Sequence, residues 1–191
     1  GVIAPIPKEA GSQAANTRPI TIMSCVYRLW AGARVSELIN WQAQWSSMHV
    51  TSYKPSLGCE DAWWAQALEV EWAILNDQPL AGVNVDFSKA FDRLPGQILL
   101  RLAEHVGMGP HIVRALGGMQ SQLQRRFKTG PFVGEPFGAT NGIMQGCPLS
   151  VILINLFGQV WVNTILAESP GTTPRAYADD LAMSSHCVLS L

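Results

Sequence analysis

Near the end of the 191-residue sequence, Tyr177-Ala178-Asp179-Asp180 lies between a Gly/Pro-rich break (residues 169–174) and a short apolar run, Leu181-Ala182-Met183. The pattern predicts strand, tight turn, strand, with two adjacent carboxylates at the turn. Asp is common at turns because it bonds its own backbone there, so the pair gains chemical meaning only if another carboxylate reaches it. Leu80-Ala81-Gly82-Val83-Asn84-Val85 has the length and composition of a buried strand and stops on Asp86. The residues between Asp86 and Asp179 leave room for two helices, a hairpin and a third helix. That is enough to cover one face of a sheet and return the chain to a neighbouring strand. Three carboxylates converging at strand ends repel one another strongly unless a cation sits between them. Oxygen-only ligands suit Mg²⁺, which keeps several waters and takes its remaining ligands from substrate phosphates. Two such ions, about 3.5–4 Å apart, would serve an in-line phosphoryl transfer.

The rest of the chain is read around that constellation. Residues 2–7 alternate small apolar residues with prolines and predict an extended edge segment ending at Lys8. A small-residue loop (9–16) and an extended stretch (17–23) follow. Ser24 can cap a helix whose inner face carries Tyr27, Leu29, Trp30, Ala33, Leu38 and Ile39. Residues 53–58 read as a loop, and 60–76 as a second helix with Trp63, Ala67, Val70 and Ile74 as its buried stripe. Pro95 opens a helix over 97–106, closed by Gly107 and Gly109. A further helix covers 111–123, a hairpin turns at Gly130-Pro131, and a long apolar helix runs from 149 to 166.

Composition sets limits on this reading. Charged residues are only 14% of the chain, against about 25% in an ordinary soluble domain, so some apolar surface is expected to meet a partner. No uninterrupted run of 18 apolar residues occurs, and no membrane partner is expected. Gly1 to Lys8 has neither an initiator Met nor the plan of a signal peptide, and reads as the interior of something longer. The four cysteines are scattered without paired spacing and are expected to be reduced core thiols. Net charge is −1, yet Arg114, Arg125, Arg126 and Lys128 form a local basic stretch free of acidic residues. Such a stretch serves either a solvated face or phosphate contact.

Three segments occur in the order and spacing of reverse transcriptase motifs A, B and C. They are Val85-Asp86-Phe87-Ser88-Lys89-Ala90-Phe91-Asp92, then Gly142 to Ser150 with Gln145-Gly146-Cys147-Pro148 at its centre, then Tyr177 to Asp180. Their wording resembles the non-LTR (LINE-type) retrotransposon branch. Upstream, Ile6-Pro7-Lys8 and Arg18-Pro19-Ile20 resemble two finger-domain motifs of the same family.

The resemblance implies an α/β (α+β) fold: a right-hand polymerase palm with an antiparallel sheet packed on helices, plus partial fingers. Fingers would occupy 1–80, and palm 81–191 with some fingers elements at 109–140. Strands near 81–86, 174–178 and 181–185 would lie side by side, backed by helices 96–106 and 149–166. It also implies an RNA-directed DNA polymerase using two Mg²⁺ ions, with Mn²⁺ as substitute, on an RNA template, a DNA primer and deoxynucleoside triphosphates. Asp86 and Asp179 would hold metal, with Asp180 beside them and the carbonyl of Phe87 completing a shell. Phe91 would exclude a 2′-hydroxyl, Gln145 and Gly146 would line the nucleotide pocket, and Arg18 and Lys8 would meet the triphosphate. Arg125, Arg126 and Lys128 are placed on the template–primer backbone by local charge, and Lys89 and Asp92 are read as an ion pair holding their loop. The expected whole is a fragment of a polyprotein, without its thumb and endonuclease regions, weakly active in isolation and nuclear by family. The alternatives are an inactive retroelement remnant and a group II intron maturase-like enzyme; an RNA-dependent RNA polymerase fits Phe91 less well.

Overall fold

The computed structural model of the chain describes residues 1–8, 17–139 and 141–187. Its elements are β1 (Val2–Pro7), β2 (Thr17–Ile22), α1 (Cys25–Trp45), α2 (Cys59–Leu75), β3 (Ala81–Asp86), α3 (Ala90–Arg93), α4 (Gly96–His105), α5 (Pro110–Gln122), β4 (Gln124–Thr129), β5 (Phe132–Val133), β6 (Phe137–Gly138), α6 (Ser150–Glu168), β7 (Thr172–Tyr177) and β8 (Asp180–Ser185). They group into two compact units, each built from two stretches of chain: Gly1–Glu37 with Lys89–Ser150, and Leu38–Ser88 with Val151–Leu191. The expectations for the loop at 9–16 and for the apolar tail at 188–191 fall outside the described residues.

In the first unit the strands run in the order β2-β1-β4-β5, with β6 also on β4. β1 pairs antiparallel with β2 along its whole length and parallel with β4 at Val2 and Ile3. It is therefore an interior strand at its start, where an edge was expected. Pro5 and Pro7 lie beyond the β4 pairing, where a missing N–H breaks no bond on that side. Pro95 precedes α4, Gly107 (φ +83°) follows it, and Gly130 (φ +58°) turns the β4–β5 hairpin, as the turn chemistry predicts.

The second unit is a three-stranded antiparallel sheet in the order β3-β8-β7. Its inner face packs Val85, Ala176 and Leu181 with Val50 against Phe157, Trp161 and Val162 of α6. A Cβ added at Gly158 would lie 3.3 Å from that of Ala176, so glycine here lets helix and strand approach closely. Of the two helices expected behind the sheet, α6 packs there through Phe157, Trp161 and Val162, and α4 packs with α5 within the first unit. α6 is long and apolar enough to cross a membrane by length and composition, although its run is interrupted by Asn155, Gln159 and Asn163. Here it is a core helix, with Ile152, Ile154, Leu156 and Val162 fully buried.

Several burial expectations are corrected. Ser24 does cap α1, its Oγ accepting the Tyr27 N–H at 3.2 Å. The buried residues of α1, however, are Ala31, Leu38, Trp41 and Gln42, and Leu29 is 76% exposed. The helix belongs to one unit up to Glu37 and to the other from Leu38, so no single stripe runs its length. α2 buries only Ala73 and leaves Trp63, Val70 and Ile74 exposed. Its polar residues Glu60, Asp61, Gln66, Glu69 and Glu71 are spread around it among the apolar ones, and such a helix has no pattern from which to choose a face. Polar contacts orient it instead: Glu69 Oε2 accepts from Arg175 Nη2 at 2.7 Å and from Ser184 Oγ at 2.6 Å. β3 is mostly exposed because it is an edge strand with one open face. Of the cysteines only Cys147 is buried; Cys25, Cys59 and Cys187 are exposed thiols.

Leu181, 2% exposed at the centre of the sheet's inner face, carries the core of the second unit. Replacing it with Ala is expected to cost about 2–5 kcal/mol, read as a lower midpoint in urea unfolding; a loss below about 1 kcal/mol would show that the sheet is held otherwise.

Candidate active site

The β3–β8 register sets Asp86 opposite Asp180, and the β7–β8 register sets Tyr177 opposite Asp180. Opposed residues of an antiparallel pair share one face of the sheet. Val85, Ala176 and Leu181 point into the core, so Asp86, Asp180 and Tyr177 project from the other face. There they border a cavity of about 440 Å³ that Arg175 and, from α2, Trp63 and Gln66 also line. Asp179 occupies the two-residue turn between β7 and β8. Burial, and then the charges of Asp179 and Asp86, push the Asp180 carboxyl above its ordinary value of 3.8. Among the described residues none of the three carboxylates makes an ion pair with Lys or Arg. Among the described residues, too, no group of three His, Cys, Asp or Glu side chains is drawn together as a finished metal cage. Two opposed carboxylates and a third beside them, with oxygen-only donors and uncompensated charge, fit a hard divalent cation whose other ligands come from water or an anionic substrate.

The turn itself is tied down by residues that sequence reasoning missed. Ala178 has φ +53°, the left-handed region. Its N–H donates to Ser52 Oγ at 3.1 Å. Ser52 Oγ in turn bonds Asn155 Oδ1, and Asn155 Nδ2 donates to Gln42 Oε1 and to Ser52 O, each at 2.9 Å. Gln42 Nε2 donates to Ser52 O at 3.0 Å. Next to this cluster, Ala176 N–H bonds His49 O and Thr51 N–H bonds Ala176 O, so residues 49–51 extend the sheet beyond β7. The available sequence signal was two polar residues, Gln42 and Asn155, at positions where apolar neighbours predict core.

The other expected site residues lie in the first unit. Thr21 N–H donates to Gln145 O at 2.7 Å, and Ile143 N–H to Phe91 O at 2.7 Å. Gly146 (φ +100°) tolerates no side chain, since a Cβ would stand 2.9 Å from Thr21 O. Gln145 and Phe91 are half-buried, while Arg18 on β2 and Lys8 just past β1 are exposed. Cys147 is buried against the Tyr27 hydroxyl at 3.0 Å, and burial raises the Tyr27 pKa first, ahead of the thiol's influence. The basic stretch divides: strand alternation puts Arg126 and Lys128 on one face of β4 and Arg125 on the other. Arg125 is half-buried near Asp92. Burial raises the Asp92 pKa, opposed by the charges of Lys89 and Arg125, but among the described residues Lys89 and Asp92 do not form the expected ion pair.

The second unit is thus a small antiparallel sheet on a core helix, with carboxylates gathered at one end of its strands. The chain belongs to the reverse transcriptase (RNA-dependent DNA polymerase) family, whose match spans residues 6–187. That family generally uses divalent metals. The chain is 24% identical over 185 residues to the Transposon TX1 uncharacterized 149 kDa protein of Xenopus laevis, covering 92% of this chain and 14% of that protein. Among solved structures it resembles telomerase from Candida tropicalis in complex with a TWJ fragment of telomeric RNA, with TM-score 0.62, 12% identity, and coverage of 92% of this chain and 35% of that one. The apo enzyme truncated from its C-terminal domain gives TM-score 0.59 at 15% identity, over 86% of this chain and 35% of that one. At these identities the structural likeness shows the fold.

The raised Asp180 pKa has a sign. A carboxyl that binds its proton more tightly when folded contributes stability below its unfolded value, and that stability is lost as pH rises through the folded value. Asp180→Asn is therefore expected to raise the melting temperature at pH 7 relative to the unsubstituted chain, with the gain vanishing below about pH 3.8. A gain that persists unchanged into acid would rule out ionisation of the Asp180 carboxyl as its cause.

Proposed function

We propose that this chain is the RNA-directed DNA polymerase centre of a non-LTR retrotransposon polyprotein, extending a DNA primer on an RNA template with deoxynucleotides. The observation that carries the reading is the pairing of Asp86 with Asp180 on the open face of the sheet, with Asp179 at the adjoining turn. Asp86 and Asp179 are the metal-holding carboxylates, Asp180 supports them, and the Phe87 carbonyl adds a ligand. Two Mg²⁺ ions, or Mn²⁺ in their place, would supply activation of the primer 3′-hydroxyl and neutralisation of the pyrophosphate that leaves. Everything else is positioning and electrostatics from the chain, as phosphoryl transfer requires.

Arg18 presents a planar fork suited to triphosphate oxygens, and Lys8 a second cation near the same end of the β1–β2 pair. Gln145 supplies an amide to the nucleotide. Gly146, which has no side chain to obstruct it, allows backbone to approach base and template. Phe91 excludes a 2′-hydroxyl by bulk. Arg126 and Lys128 contact the nucleic-acid backbone; Arg125, beside Asp92, braces the loop from which Phe91 comes. Residues 1–80 and 109–140 are assigned to fingers and the remainder of 81–191 to palm, a division that differs from the compact units, in which 38–88 groups with 151–191 and 89–150 with 1–37. The chain spans 14% of the transposon protein it matches, and thumb and endonuclease regions of the same polyprotein are the partners we assign to it.

Single-nucleotide extension of a DNA primer on an RNA template tests the reading. Asp86→Asn and Asp179→Asn are each expected to lower the rate on the order of 10³-fold, the equivalent of several kcal/mol of metal-derived stabilisation. Phe91→Ala should leave deoxynucleotide addition measurable and raise ribonucleotide use about 10–100-fold, the range that emptying part of a pocket supports. Extension undiminished in either Asp variant would sink the proposal.

A further inference from the structure

We infer that Ser52, oriented by Asn155 and Gln42, is a positioning residue that fixes the direction of the Asp179 carboxylate through the backbone of Ala178. This inference rests on the polymerase reading of Asp179. Gln42, Ser52 and Asn155 are 0%, 1% and 1% exposed, in the unit that also holds the apolar cluster of Val50, Val162, Ala176 and Leu181. Polar groups buried this deeply are costly unless every bond is made, and here the network closes on itself. The Asn155 amide nitrogen is committed to Gln42 Oε1 and Ser52 O, which leaves its Oδ1 to accept the Ser52 hydroxyl. With its proton so directed, Ser52 Oγ has a lone pair for one further donor, and the donor present is Ala178 N–H. Gln42 Nε2 also reaches Tyr53 O at 3.5 Å, and the network meets the turn through Ser52 Oγ.

The residue held there is in a conformation it would not choose. An L-residue other than Gly, Asn or Asp at φ +53° is strained by roughly 1–2 kcal/mol. Such a residue stays in place only where its surroundings over-determine it. Asp179 is the next residue, so the rotation about Ala178 sets where its carboxylate points relative to Asp86. Ser52 touches neither substrate nor metal in this reading, and acts entirely through Ala178.

Amide hydrogen exchange by NMR, together with primer extension, tests the assignment. In the unsubstituted chain the Ala178 amide is expected to be protected. Ser52→Ala is expected to speed its exchange about 10–100-fold, the loss of one buried hydrogen bond, with the change confined to residues near the turn. The same variant should lower kcat and raise the half-saturating Mn²⁺ concentration, while the nucleotide KM stays within about twofold, since uniform binding is untouched. Should Ser52→Ala unfold, the near-isosteric Ser52→Cys carries the same comparison, and protection of Ala178 in the unsubstituted chain is a criterion that needs no variant. Fast exchange of the unsubstituted Ala178 amide overturns the inference. So does a Ser52 variant with fast exchange but unchanged kcat and Mn²⁺ dependence. Asp179→Asn is the separate control: extension that survives it removes the polymerase reading. Extension that needs Asp179 but not Ser52 removes the positioning role alone.

Discussion

The structure depends on a repulsion. β3 and β8 pair so that Asp86 and Asp180 stand opposite each other, and the turn adds Asp179 beside them. Like charges in such proximity are unfavourable, and the Asp180 pKa is raised by burial first and then by the charges of Asp179 and Asp86. The apolar inner face is what imposes the register. Val85 and Leu181 are opposed on that face, and slipping the pairing by one residue would turn them outward. Burial of a few aliphatic side chains against α6 therefore forces carboxylates together that would otherwise separate. A cation placed between these carboxylates would relieve that repulsion.

Two devices of opposite character hold loops in place on the two sides of the chain's division. In the second unit, a buried polar network restrains a strained alanine. In the first, the loop 142–146 is secured by backbone bonds to Thr21 and Phe91, and by glycines where a Cβ would strike a carbonyl oxygen. Gly142 and Gly146 each have φ in the left-handed range and backbone oxygen 2.9 Å from where a Cβ would be. Neither position could accept alanine without moving backbone, so the loop's path is set by sterics before any ligand arrives.

Much of this was legible in the sequence, for identifiable reasons. The strand ending on Asp86, the hairpin around Ala178-Asp179, and the helix after Pro95 announce themselves through local chemistry: alternation, turn residues, caps. The candidate site residues could be named because they fall in three ordered motifs. Burial was less so. α2 carries Trp63, Trp64, Leu68, Val70, Trp72 and Ile74 over most of its circumference, and hydrophobicity without periodicity names no inner face. α1 failed for another reason, since its halves belong to different units and answer to different cores. The split of Arg125 from Arg126 and Lys128 needed only the period of a strand, which a count of charge ignores. The Ser52–Asn155–Gln42 network was out of reach, because its members are far apart in sequence and polar residues at core positions do not reveal their partners.

The claim that the strand-end carboxylates form a divalent-cation site is open to direct measurement without any turnover. Mn²⁺ titrated into the isotopically labelled chain broadens the NMR signals of nuclei near its binding site. Broadening that begins at the Asp86, Asp179 and Asp180 carboxyl carbons and at the Phe87 carbonyl is expected, and it should be lost in Asp86→Asn. Broadening that begins elsewhere, such as at Glu69 or Asp77, and leaves these signals sharp would contradict it.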